Sequence, residues 1–324
     1  MMNINEANIK QWSDLGYRDS FGKAILDIGE KCPNVVVLAA DLADACRVTA
    51  FSKKFPNRFF QVGIAEQNMV GIASGLALNG FVAFTTTFAT FASLRSCEQL
   101  RTDVAYPKLN VKAIGIDCGV AVGTLGATHY AIEDIGTLRS MPNMIILCPA
   151  DGLEVAKATW AAALYNGPVY IRLSGGKSAQ SVYKEDYNFE IGKAVTLREG
   201  YDLTIIATGL MVSRSLRAAD ILLDKGIKAR VINMHTIKPI DSEVIKKAAN
   251  ETKLIVTVEE HNIIGGLGSA IAEILSELGS RPRLIRVALP DEFVHIGSHE
   301  EILDRHGLTY SKIAEKILQS EELI

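Results

Sequence analysis

The chain has 324 residues, long enough for about two hydrophobic cores, since single cores rarely grow past about 250–300 residues. Its 34 basic and 37 acidic residues are interspersed, leave a net charge of −3 and form no basic block, which argues against nucleic acid and anionic membrane surfaces as partners. Five scattered cysteines (Cys32, Cys46, Cys97, Cys118, Cys148), odd in number and without a C-x-x-C pair, argue against a disulfide framework or a zinc site and read as buried thiols in a reducing compartment.

The start, MMNINEANIKQW, is polar and carries no apolar run of the signal-peptide kind, so the cytoplasm is the expected location. From Tyr17 onward, segments of helical period alternate with short apolar runs. The helical segments are YRDSFGKAILDIGEK, AEQNMVGIASGLALN and GLEVAKATWAAALYN; the apolar runs are VVVLAA, FVAFTT, VKAIGI, MIILCP and PVYIRL. Gln67 to Leu94 carries no charge and is longer than the ~20 residues a spanning helix needs. Asn79-Gly80 splits it, and the β-branched and aromatic FVAFTTT follows, so it reads as helix, turn and strand. Strands apolar on both faces suit a parallel sheet covered by helices on each side, the doubly wound α/β arrangement.

After Leu173 the polar stretch SGGKSAQSVYKEDYNFEIG reads as a linker, which places a first domain at 1–180 and a second at 190–324. The second repeats the alternation: DLTIIAT, SRSLRAADILLDKG, KARVINM, DSEVIKKAAN, KLIVTVEE, GGLGSAIAEILSELG, RLIRVAL and a helical end from Gly297. The predicted class is α/β with two doubly wound, mainly parallel-sheet domains. GGLGS lacks both the G-x-G-x-x-G spacing and a P-loop lysine, so it reads as a tight strand-to-helix turn with no cofactor role.

Several ordered motifs carry a family resemblance over nearly the whole chain: VVVLAADLA, FFQVGIAEQNMVGIASGLAL, TTFATFAS, GTLGATHYAIEDIGTLRSMPNM, CPADGLEVAKA and EEHNIIGGLGSAIAEIL. Through them the first domain resembles the pyrimidine-binding domain of transketolases. The second resembles the C-terminal domain shared by transketolases, 1-deoxyxylulose-5-phosphate synthases and the β subunits of 2-oxo acid dehydrogenases. The resemblance implies thiamine diphosphate as cofactor. Transketolases hold its diphosphate through a metal ion, Mg2+ or Ca2+, bound by a Gly-Asp-Gly motif in a further N-terminal domain, and no Gly-Asp-Gly occurs here. The chain therefore looks like the second half of a split transketolase, with no metal site of its own. A partner chain would carry the diphosphate domain and the metal, and the expected assembly is a heterotetramer of two chains of each kind.

The resemblance also assigns residues. Glu66 falls on the glutamate that faces N1′ of the cofactor's aminopyrimidine, where proton sharing favours the imino tautomer that deprotonates C2 of the thiazolium. Without the resemblance, Glu66 would read as a first-turn glutamate on a helix dipole. Phe88 and Phe91, three apart and hence expected on one helical face, match aromatic residues lining the pyrimidine pocket; a third such position is Leu94 here. Asp41 matches an aspartate near the cofactor, and reads equally well as the polar residue opening a loop after a strand. His129, in a Gly-rich loop expected at a strand's C-terminal end, matches a histidine that reaches the ketol oxygen of the substrate.

Departures from the pattern concern the substrate. Of the residues with which transketolases bind a distal phosphate, Arg18 has its counterpart, whereas a serine, a histidine and an arginine fall at Ala45, Asp117 and Gly175. A carboxylate for a histidine and the loss of an arginine both oppose an anion; Lys177, Arg172 or the partner chain are the candidates to supply a displaced positive charge. Leu125 replaces an aspartate that would accept a bond from a sugar hydroxyl. A sugar outside the usual phosphosugars is expected; relatives of split architecture act on branched or sulfonated sugars, and either is compatible with the resemblance. The alternatives are a 2-oxo acid dehydrogenase β subunit and a non-catalytic assembly protein with a degenerate site.

Overall fold

The computed structural model describes residues 6–175 and 181–320. The first half runs α1 Glu6–Asp14, α2 Tyr17–Lys31, β1 Val35–Ala39, α3 Thr49–Lys54, β2 Phe59–Gln61, α4 Glu66–Leu78 and β3 Val82–Phe88. After β3 the chain turns into a helix made largely of two π-helical stretches, Phe91–Arg95 and Leu100–Ala105, with α5 Cys97–Gln99 between them. Then follow β4 Val111–Cys118, α6 Asp134–Arg139, β5 Ile145–Leu147, α7 Gly152–Leu164 and β6 Val169–Ser174. The second half comprises β7 Val195–Arg198, β8 Leu203–Ala207, α8 Met211–Asp224, β9 Ala229–Asn233, β10 Thr236–Lys238, α9 Ser242–Glu251, β11 Leu254–Asn262, α10 Leu267–Ser276, β12 Arg283–Leu289, α11 His299–Arg305 and α12 Tyr310–Leu318.

These elements build two sheets, ordered β10-β5-β6-β4-β3-β1-β2 and β12-β11-β8-β9-β7. Pairing is parallel except at β10 against β5 and β7 against β9. The class is therefore α/β with two mainly parallel sheets and flanking helices, as the apolar runs predict. β1, β4, β6 and β8 are buried along their whole length, which is why they read as continuous apolar runs instead of alternating ones. The cysteines are all free; Cys46, Cys118 and Cys148 are buried as expected, whereas Cys32 and Cys97 are only partly so. No helix among the described residues is long and apolar enough to cross a membrane.

The two halves interlock. β10 lies in the second half of the chain yet forms the edge of the first sheet, pairing Thr236 with Leu147 and Lys238 with Ile146. Lys238 Nζ then reaches the Arg139 carbonyl at 2.8 Å and that of Met141. One apolar cluster runs from Met69 and Leu100 through Met144 to Ile206, Ile237 and Ile271. The segment after residue 180 is docked too: Tyr183 and Tyr187 stack at 4.1 Å and both hydroxyls bond to the buried Glu154, which also accepts from Asn233.

Candidate active site

The candidate residues collect at the carboxyl edge of the first sheet, where open α/β sheets bind ligands. Asp41 follows β1, Phe88 ends β3, Asp117 lies at the end of β4, and Gly175 follows β6. Glu66 opens α4, which the loop after β2 leads into. Both Asp41 and Asp117 have left-handed backbone, with φ of 59° and 53°, a conformation non-glycine residues adopt at some cost and one that clusters at functional loops. Gln61 Oε1 accepts the Asp41 N–H at 2.6 Å and ties that loop to β2; the Asp41 residue itself is exposed.

One cluster forms around Glu66. Its carboxylate is 2% exposed and accepts from Arg95 Nη1 at 2.8 Å. The Arg95 guanidinium lies 3.9 Å from the centre of the Phe91 ring. Phe91 meets Phe88 edge to face at 5.9 Å, and His129 meets Phe91 at 5.3 Å and Phe88 at 5.7 Å, also edge to face. The sequence places Phe88 and Phe91 on one helical face; in the structure Phe88 is a strand residue and Phe91 opens the π-helical stretch, so they meet across the strand-to-helix turn instead. Arg95 follows Phe91 by four residues in the π-helical stretch and lies back over its ring, and such stretches are frequent at functional sites. Leu94, from the same turn, is exposed.

A second cluster surrounds Asp117, which is 3% exposed and pairs with Arg18 Nη1 at 3.4 Å. Burial raises the Asp117 carboxyl above its ordinary range, and the charges of Arg18, His299 and Arg47 oppose that rise. A Cβ at Gly175 would stand 2.5 Å from Asp117 Oδ1 and 2.4 Å from Ala121 Cβ, so the glycine makes room for the aspartate. Arg172 is not free to replace a lost cation: it is buried, donates to Asp134 Oδ2 at 2.8 Å and to the Ala131 and Glu260 carbonyls at 3.0 and 2.9 Å. Lys177 lies outside the described residues. Leu125 sits half-exposed in a short 3-10 turn four residues before His129, whose Nδ1 is 2.9 Å from the hydroxyl of Thr128.

Behind this loop stands a pair that sequence reading missed. Glu260 Oε1 accepts the Val120 N–H and faces His299 Nε2, each at 2.8 Å. Burial alone would raise the Glu260 carboxyl, yet His299 holds it below its ordinary range; burial lowers His299, and Glu260 more than reverses that. At GGLGS, the N–H groups of Leu267 and Gly268 are taken at 2.7 and 2.8 Å by Glu259, so the chain's own carboxylate fills the start of α10. Among the described residues no group of three or more His, Cys, Asp or Glu side chains is placed to hold a metal ion.

Comparison with known proteins now bears on this geometry. Residues 13–179 match the family described as the transketolase pyrimidine binding domain, and residues 192–313 match the transketolase C-terminal domain. The chain belongs to the transketolase family. A protein of Methanocaldococcus jannaschii with the provisional name transketolase C-terminal section is 44% identical over 94% of this chain and 96% of its own length. A 6-deoxy-6-sulfo-D-fructose transketolase subunit from a Clostridium species is 42% identical over 91% of each chain. Among solved structures, a split gene transketolase described as an inactive β4 tetramer superposes with a TM-score of 0.84 at 41% identity, covering 95% of this chain and 98% of that one. Transketolases depend on thiamine diphosphate. The Glu66 cluster fits that cofactor's pyrimidine end: a buried carboxylate beside aromatic rings already holds a flat, hydrogen-bond-donating group.

Proposed function

We propose that this transketolase-family chain is the pyrimidine-binding subunit of a two-chain transketolase, moving a two-carbon ketol unit from a ketose donor to an aldose acceptor. The observation that carries this is the buried Glu66 at the head of α4, which Arg95 joins to the Phe91 ring, itself packed edge to face on His129. Bound thiamine diphosphate supplies the carbon nucleophile of such a transfer. Glu66 would hold a proton at N1′ of the pyrimidine, Phe88 and Phe91 would wall the ring from water, Asp41 would lie beside it, and His129 would donate to the substrate's ketol oxygen. A partner chain would hold the diphosphate and its Mg2+ or Ca2+, and two chains of each kind would assemble. That the split gene transketolase in its β4 form is inactive supports the need for such a partner.

The sugar would lie outside the usual phosphosugars. In support, Arg18 is already paired with the buried Asp117, Gly175 is kept free of a side chain by that aspartate, and Leu125 offers no hydroxyl acceptor. A branched ketose fits these departures; a sulfonated one, as in the name of the Clostridium relative, would need a cation such as Lys177 at its anionic end.

Reconstitution tests the reading. The chain mixed with a partner carrying the diphosphate domain, thiamine diphosphate and Mg2+ is expected to convert a ketose donor, and Glu66→Ala to lower turnover by about 100-fold or more. Full turnover by that variant would sink the mechanism, and decarboxylation of a 2-oxo acid in place of ketol transfer would move the chain to the dehydrogenase β subunits.

A further inference from the structure

Arg95 performs two contacts at once. It donates to the 2% exposed Glu66 carboxylate at 2.8 Å, and its flat guanidinium lies 3.9 Å from the centre of the Phe91 ring. A protonated aminopyrimidine offers the same pair of features, a planar ring face for an aromatic wall and an N–H aimed at a carboxylate. Arg95 holds Glu66 Oε2 and covers the Phe91 ring, so a pyrimidine that uses the same oxygen and the same ring face has to displace it.

The geometry points to Arg95 as an internal stand-in for the cofactor's pyrimidine, occupying Glu66 and Phe91 until thiamine diphosphate displaces it. This rests on the cofactor reading above and goes beyond it, because it gives a role to a residue that the family resemblance did not assign. Physical reasons favour Arg95 as the member that moves. Glu66 is buried, and an ionised carboxylate left there without a partner would be costly. Arg95 is 43% exposed, so its guanidinium can swing into water and be solvated. The π-helical backbone that carries it need not change.

The consequence is a competition within the chain. Apparent affinity for the cofactor equals the intrinsic affinity reduced by the fraction of molecules whose pocket is open. Arg95 thus lowers affinity while keeping the carboxylate paired in the empty site.

Calorimetric titration of thiamine diphosphate into the reconstituted complex with Mg2+ tests this directly. Arg95→Met keeps bulk against Phe91 but cannot donate, and is expected to bind about five- to tenfold more tightly than wild type. Arg95→Lys retains the charge without the flat face and should fall between them. Equal or weaker binding by Arg95→Met would overturn the inference. Crystal structures of the wild-type pair with and without cofactor give a check that needs no variant: the Arg95–Glu66 contact should be lost on loading, and its persistence would overturn the inference. Absence of any cofactor binding by the wild-type pair would instead refute the cofactor reading, and this inference with it.

Discussion

Asp117 shows how one buried side chain can commit a neighbouring cation. It takes a left-handed backbone, is withdrawn from water and holds the Arg18 guanidinium at 3.4 Å. Asp117→Asn should release Arg18 for an anion. The expected result is a KM for a phosphorylated ketose lowered several-fold with kcat little changed, read from steady-state kinetics of the reconstituted pair. An unchanged KM would mean that Arg18 does not face the substrate's distal end. TTFATFAS and GATH singled out Phe88, Phe91 and His129, but their meeting was not legible, because it runs across a strand-to-helix turn and a loop eleven residues beyond β4. Arg95 was not legible either, since its reach to Glu66 joins segments 29 residues apart that no motif links. A four-residue spacing from Phe91 was the sole signal, and any helix produces such pairs by the dozen.

At the scale of elements, long apolar runs were readable because burial on both faces leaves little ambiguity, and β1, β3, β4, β6, β8, β9 and β11 fall within the segments read as strands, give or take two residues. Of the short elements, β5 was read within MIILCP, whereas β2, β7 and β10 were not. β10 is three residues, Thr236–Lys238, and gains its identity solely by pairing with β5 of the other half. β7, partly exposed, has no apolar run to announce it. The polar linker composition gave no hint that Tyr183 and Tyr187 would stack and close over Glu154, because nothing local in SVYKEDYNF requires it. The end of β6 offers an element-level test. Gly175→Ala places a Cβ 2.5 Å from Asp117 Oδ1, and should destabilise the chain by about 1–3 kcal/mol in urea unfolding. A neutral result would show that the loop after β4 yields easily.

For the whole molecule, Glu260 and His299 tie the loop after β4 to α11. His299 is raised above its ordinary 6.5, so its contribution is complete below that value and fades as pH climbs through the folded value. Glu260 is lowered from 4.5, so its contribution is complete above that value and fades as pH falls through the folded one. The pair is therefore most stabilising between about 4.5 and 6.5. His299→Gln should remove on the order of 1 kcal/mol near pH 6 and progressively less toward pH 9, measured as the difference from wild type in urea unfolding. A difference independent of pH would show that the imidazole contributes by packing alone.

The strand that crosses from one half to the other has a dynamical consequence. Many enzymes admit ligands by rotating two lobes about a hinge, but here such a rotation would pull β10 from β5 and strip Lys238 from the carbonyls of Arg139 and Met141. A rigid pair of lobes leaves opening and closing to smaller parts, a swinging arginine or the loop that carries His129. Breathing of the site would then run on the nanosecond-to-microsecond clock of side chains and loops, faster than the collective clock of domains.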